Sequence, residues 1–193
     1  MKKIFALLLV FLLCIGTFAS CKGEVQAPVT QTENTQLDET IVKSMEYYFA
    51  RTTAEGFSKY INAFPEEWRE GYQALLDYDD ETFLSALDFH TQVMQTTIAE
   101  TYIGCEYVIE YQYKSISDLE DERKSTLIED LIQNAFLSRE SIEDMKEITY
   151  DVTTYGVTEQ GDKVNEKTVE DNVLLLKIKD KGWYVSPQEF NVN

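Results

Sequence analysis

Cys105-Glu106-Tyr107-Val108-Ile109-Glu110-Tyr111-Gln112-Tyr113 is where the chain changes from a helical period to a period of two. The odd positions carry Cys105, Tyr107, Ile109, Tyr111 and Tyr113, and the even ones Glu106, Val108, Glu110 and Gln112. Successive side chains of a strand point to opposite faces, so this alternation predicts a strand with one buried face and one wet face. Apolar residues before it recur at threes and fours, whereas most of the segments after it alternate. Helices first and strands afterwards predict an α+β domain.

Upstream, Ile41, Met45, Tyr48, Phe49 and Thr52 line one face of a helix starting near Glu39. Gly56 interrupts it, and Phe57, Tyr60, Ile61 and Phe64 form a second short face. Phe64-Pro65-Glu66-Glu67 reads as a helix start, with Pro65 at the first helical position and two glutamates at the positive end of the dipole. That helix carries Trp68, Tyr72, Leu75 and Leu76. Asp77-Tyr78-Asp79-Asp80-Glu81 is a turn and a second acidic start, opening a helix from about Asp80 to Glu100. Phe83, Leu84, Leu87, His90, Met94 and Ile98 share its stripe.

Downstream, Ser117 and Glu120 have the spacing of a capping box for a helix from Leu119 to about Ala135, inserted between the first and second strands. Further strands are expected over Glu147 to Val157 and Lys167 to Lys179, with Gly161-Asp162 in the reversal between them. Val173-Leu174-Leu175-Leu176 has no polar alternate, which marks a strand covered on both faces. Asp180-Lys181-Gly182 is a tight turn, and Trp183 to Ser186 is a short returning strand stopped by Pro187. The expected architecture is a set of N-terminal helices packed on a curved antiparallel sheet of about four strands, curling into a cone.

Several of these segments together resemble a known family. They are Phe64-Pro65-Glu66-Glu67, the tyrosine-rich strand with its acidic helical insert, Val173-Leu174-Leu175-Leu176-Lys177-Ile178, and Lys181-Gly182-Trp183-Tyr184-Val185-Ser186-Pro187. They look like lipoproteins of anaerobic Gram-positive bacteria that carry a nuclear transport factor 2-like (cystatin-like) domain, over about residues 40–188. In that family the closing turn usually reads Asp-Gly-Lys-Trp-Tyr, whereas here it is Asp180-Lys181-Gly182-Trp183-Tyr184. The resemblance implies the cone fold and a surface location. It implies no activity, because that fold hosts isomerases, dehydratases, ligand binders and interaction modules alike.

The opening residues agree with such a location. Lys2 and Lys3 form a basic start, Ile4 to Ile15 is an unbroken apolar run, and Phe18-Ala19-Ser20-Cys21 supplies small residues before a cysteine. This is the order of a secretory signal, and its end resembles the lipobox at which bacterial lipoproteins are diacylated on the cysteine. Residues 1–21 are thus read as a signal peptide, with Cys21 as the lipidation site and a membrane as the partner it engages. Two acyl chains suffice for firm anchoring, where one does not. Residues 22–38 are polar and lack aromatics, so they read as a tether spanning about 23 Å as a flexible coil. Residues 39–193 form the expected domain. The protein is therefore expected on the outer face of the cell membrane.

Charge narrows the partners. The chain has 17 basic and 35 acidic residues, a net charge of −18 that becomes −20 when Lys2 and Lys3 leave with the signal. Such a field repels phosphodiester backbones, which argues against nucleic acid. Of three cysteines, Cys14 leaves and Cys21 is acylated, so Cys105 stands alone and no internal disulfide is available.

Candidate site residues are few. His90 is the sole histidine, and a relay built on histidine must use it as the general base. Tyr107, Tyr111, Tyr113, Trp183 and Tyr184 are candidates to line a pocket for an aromatic or sugar ligand, against the alternative that they are core. Cys105 reads as a small buried hydrophobe. Asp77, Asp79, Asp80 and Glu81 lack the spacing of a helical calcium loop and read as helix caps. No phosphate loop, dinucleotide fingerprint or metalloprotease motif occurs, so no cofactor and no metal is indicated. The leading expectation is a non-enzymatic binding or interaction module for an unidentified protein or small molecule. The alternatives are an isomerase- or hydrolase-like enzyme using His90 in the cone pocket, and a structural envelope component.

Overall fold

A computed structural model describes residues 37–53 and 55–190. The signal segment, Cys21 and nearly all of the tether lie outside the described residues.

The N-terminal layer is helical. Helix α1 spans Glu39–Phe49 and continues into a 3-10 turn, Ala50–Thr52. It starts where it does because the Asp38 carboxylate accepts the Thr40 amide at 2.8 Å. Its buried stripe is Ile41, Ser44, Met45, Tyr48 and Phe49. Helix α2, Gly56–Tyr60, follows a backbone that Gly56 turns at φ +52. A Cβ there would lie 2.2 Å from the Thr91 side chain, so glycine serves both the left-handed turn and the close approach. Helix α3 is Glu66–Leu75 and helix α4 is Asp80–Thr101. Pro65 caps α3 from just outside the helix rather than standing at its first position. The restraint is the same, shifted by one residue.

The sheet is antiparallel, in the order β1-β2-β3-β4, and curls into a half-barrel around the helices. Its strands are β1 (Glu106–Asp118), β2 (Ile142–Val157), β3 (Lys163–Ile178) and β4 (Gly182–Val185). Helix α5, Asp121–Asn134, lies between β1 and β2 in the chain. Phe49 of α1 meets Tyr111 and Tyr150, so the N-terminal helices cover the face that carries Tyr150. Arg123 of α5 bonds to Glu147 at 2.7 Å. Glu147 is an odd number of positions from Tyr150, so α5 lies on the other face. This double cover buries Val173, Leu174, Leu175 and Leu176 together. The α+β class, with helices packed on a four-stranded antiparallel sheet, is thus the architecture observed.

Three local expectations need correction. Ser117 is not a cap: β1 runs on to Asp118, and Ser117 pairs with Glu147 of β2. Cross-strand pairing with β2 displaces the local cap, and Glu120 precedes α5 without any side-chain cap bond. Leu84 sits on the expected stripe of α4 but is 52% exposed, because the buried part of that 22-residue helix is limited to Phe83, Leu87 and Thr91. The second and third strands also begin earlier, at Ile142 and Lys163, since the sheet ladder extends past the apolar alternation.

Candidate functional site

The concave face of the sheet is filled by rings. Phe49 stacks on Tyr111 with centroids 3.5 Å apart and meets Tyr150 edge-on at 5.1 Å. Tyr48 contacts Phe49 at 5.6 Å and Tyr60 at 5.8 Å. The Arg51 guanidinium lies 3.9 Å over the Tyr48 ring. Burial pushes the Tyr111 phenol up to about 12 and raises the Tyr150 phenol as well.

Two of the tyrosines singled out in sequence are fastened into this packing. The Tyr107 hydroxyl donates to the Thr52 carbonyl at 2.7 Å, and the Tyr111 hydroxyl lies 3.1 Å from the Thr52 hydroxyl. Both rings therefore pin the 3-10 turn after α1 onto β1.

His90 is half-buried on α4, its ring 5.7 Å from Phe57 and 6.0 Å from Phe89. It has no hydrogen bond or ion pair among the described residues. A general base needs hydrogen-bond reach of a proton and an orienting partner, and none adjoins this ring. Cys105 is half-buried just before β1. Asp79 caps α4, its carboxylate accepting the Thr82 amide at 2.8 Å. Asp80 accepts from the Gln73 amide at 2.9 Å.

Open space lies on the outer side of the helical layer. The Pro65-led start of α3 sets Arg69 beside the 3-10 turn Ile61–Ala63, where its guanidinium donates to Asn62 Oδ1 at 2.7 Å. Asn62 in turn donates to the Ser58 carbonyl at 3.1 Å. Two cavities share Asn62 and Arg69 as a wall. The larger, about 490 Å³, is bounded by Glu66, Glu70, Asp80, Phe83 and Leu84. The smaller, about 260 Å³, is bounded by Lys43, Tyr47, Lys181, Trp183 and Tyr184.

Hydrogen bonds between α1 and β4 build the smaller cavity. Ser44 Oγ donates to the Trp183 carbonyl at 2.6 Å, and the Trp183 amide donates to Thr40 Oγ1 at 2.9 Å. Gly182, at φ +98, brings β4 so close to α1 that a Cβ would lie 2.7 Å from the Thr40 methyl. Lys181 bonds Glu67 at 2.7 Å and lies 3.8 Å from Glu66. Burial works to raise the Glu67 carboxyl, and the Lys181 ammonium outweighs it, so Glu67 titrates below its ordinary range. Two atoms beside this seam, Arg69 Nε and Glu67 Oε2, are buried without partners.

Of the pocket residues expected from sequence, Trp183 and Tyr184 line the smaller of these cavities, while His90, Tyr107, Tyr111 and Tyr113 line neither. Lys43, Asn62, Arg69 and Lys181 were missed by sequence reasoning. Their one signal was the scarcity of cations in so acidic a chain. Among the described residues no helix is long and apolar enough to cross a membrane. No family model and no curated protein sequence matches the chain.

Proposed function

We propose that the protein is an extracytoplasmic binding module, tethered to the membrane through lipid on Cys21 and catalysing no reaction of its own. The observation that carries this reading is where the rings and the open space lie. Aromatic side chains fill the concave face, where a cone-shaped enzyme would hold its substrate. One of the spaces that remain adjoins Arg69 and is walled by cations, phenols and an amide. No paired nucleophile and base stands there, so the residues suit recognition rather than bond making. The resemblance to nuclear transport factor 2-like lipoproteins supports the same reading, with α5 as the helical insert between the first two strands.

Two experiments test it. Metabolic labelling with an alkyne fatty acid should tag the wild type and miss Cys21→Ala; equal labelling of the two overturns the tether. Native mass spectrometry of the full chain, recovered from its host in detergent, should show a non-covalent adduct. A bare mass throughout overturns the binding of a small ligand.

A further inference from the structure

We infer that the cavity between α1, α3 and β4 binds a small oxyanion, a carboxylate or a phosphate on a compact body. This rests on the binding-module reading and names the ligand chemistry of that same site.

The argument starts from charge. Acidic residues outnumber basic ones by 35 to 17 in this chain, so a surface cation has carboxylates in excess to pair with. Nevertheless Lys43, Arg69 and Lys181 come together on one cavity whose lining includes no carboxylate. Among the described residues Lys43 and Arg69 form no ion pair at all; only Lys181 is engaged, by Glu67 and Glu66. Glu67 and Glu66 offset part of this charge from beside the cavity, and an anion seated among the three cations relieves the repulsion that remains.

Hydrogen-bond accounting points the same way. Asn62 holds Arg69 by one nitrogen, which fixes the plane of the guanidinium, while Arg69 Nε is buried and unpartnered. A fixed guanidinium presents a fork that matches carboxylate or phosphate oxygens. The phenols of Tyr47 and Tyr184 have no hydrogen-bond partner among the described residues, and both line the cavity. Trp183, tied to α1 at both its amide and its carbonyl, supplies a flat, rigid wall for whatever body carries the anion. A volume of about 260 Å³ is below the usual range for drug-sized ligands and limits the guest to about ten non-hydrogen atoms.

The test is calorimetric titration of the full chain in detergent with inorganic phosphate, succinate and glucose, at low and high salt. Lys43→Gln and Arg69→Gln are the test variants, each checked by circular dichroism. Lys114→Gln is the control, since Lys114 pairs with Asp151 and Glu170 on the sheet. The expected result is saturable binding of phosphate or succinate that weakens with salt and is at least tenfold weaker in both test variants. The control should match the wild type, and glucose should not bind. Whichever anion binds more tightly identifies the source of the oxygens. No saturable binding of either anion, or equal binding by the test variants and the wild type, overturns the inference. An adduct in native mass spectrometry that persists on Arg69→Gln would leave the binding module standing and remove the oxyanion. A bare mass together with no anion binding would remove both.

Discussion

Phe49→Ala should be the most costly single truncation on the concave face. The ring is 6% exposed, stacks on Tyr111 at 3.5 Å, and meets Tyr150 and Tyr48 edge-on at 5.1 and 5.6 Å. Truncating a buried phenylalanine costs about 3–5 kcal/mol, the spread reflecting how far the site can collapse. Here Tyr111 and Tyr150 stand on paired strands whose ladder resists inward movement, which places the loss at about 4 kcal/mol. In a domain of this size that corresponds to a fall in Tm of about 10 °C. Urea unfolding followed by circular dichroism measures it, with the slope unchanged so that the midpoint alone carries the effect. A double-mutant cycle with Tyr111→Leu should return a coupling of about 1 kcal/mol for the stacked pair. A loss below about 2 kcal/mol, or no coupling, would mean that the ring does not plug the cone, and the case for an occupied interior would fail.

Other perturbations probe the neighbouring supports. Ser44→Ala removes the donor to the buried Trp183 carbonyl and should cost about 1–2 kcal/mol in the same urea experiment; no measurable change would detach β4 from α1. Gly56→Ala forces a Cβ into Thr91 at a left-handed φ and displaces the hydroxyl that accepts the Phe57 amide at 2.8 Å. A loss of about 3 kcal/mol is expected, and a neutral outcome would refute the close approach of α2 to α4. The Tyr111 phenol is raised in the folded state, so its contribution to stability is complete below about pH 10 and is lost as pH rises toward 12. Phenolate absorbance should lose one late-titrating phenol in Tyr111→Phe, and an unchanged titration would contradict its burial.

Sequence pattern carried the fold further than the site. The alternation of Tyr107, Ile109 and Tyr111 marks a real inward face, and the unbroken Val173 to Leu176 run is covered on both sides. Both are legible because burial imposes a period on the side chains themselves. The last third of β1 was not legible. Ser115 and Ser117 carry no apolar signal, and they are strand because Thr149 and Glu147 pair with them across the ladder. His90 drew attention by being single, yet chemical rarity says nothing about which neighbours a helix turn will meet. Arg69 shows the converse. Within Glu66-Glu67-Trp68-Arg69-Glu70 it reads as one more solvated charge on an acidic helix. It becomes a candidate ligand-binding residue only when a hairpin more than a hundred positions later brings Lys181 and Trp183 to the same cavity. Short-range periodicity holds no record of that meeting.

The junction of α1 with β4 also has a mechanical side. Leu37 is buried and Asp38 caps α1, so the backbone joins the folded body at the foot of this helix. Within two turns of that point, Thr40 accepts the Trp183 amide and Ser44 donates to the Trp183 carbonyl. A load applied to the backbone at Leu37 therefore reaches the sheet first at β4, through these two contacts. The residue they hold also walls the smaller cavity, so a load on α1 and the shape of that cavity meet at Trp183.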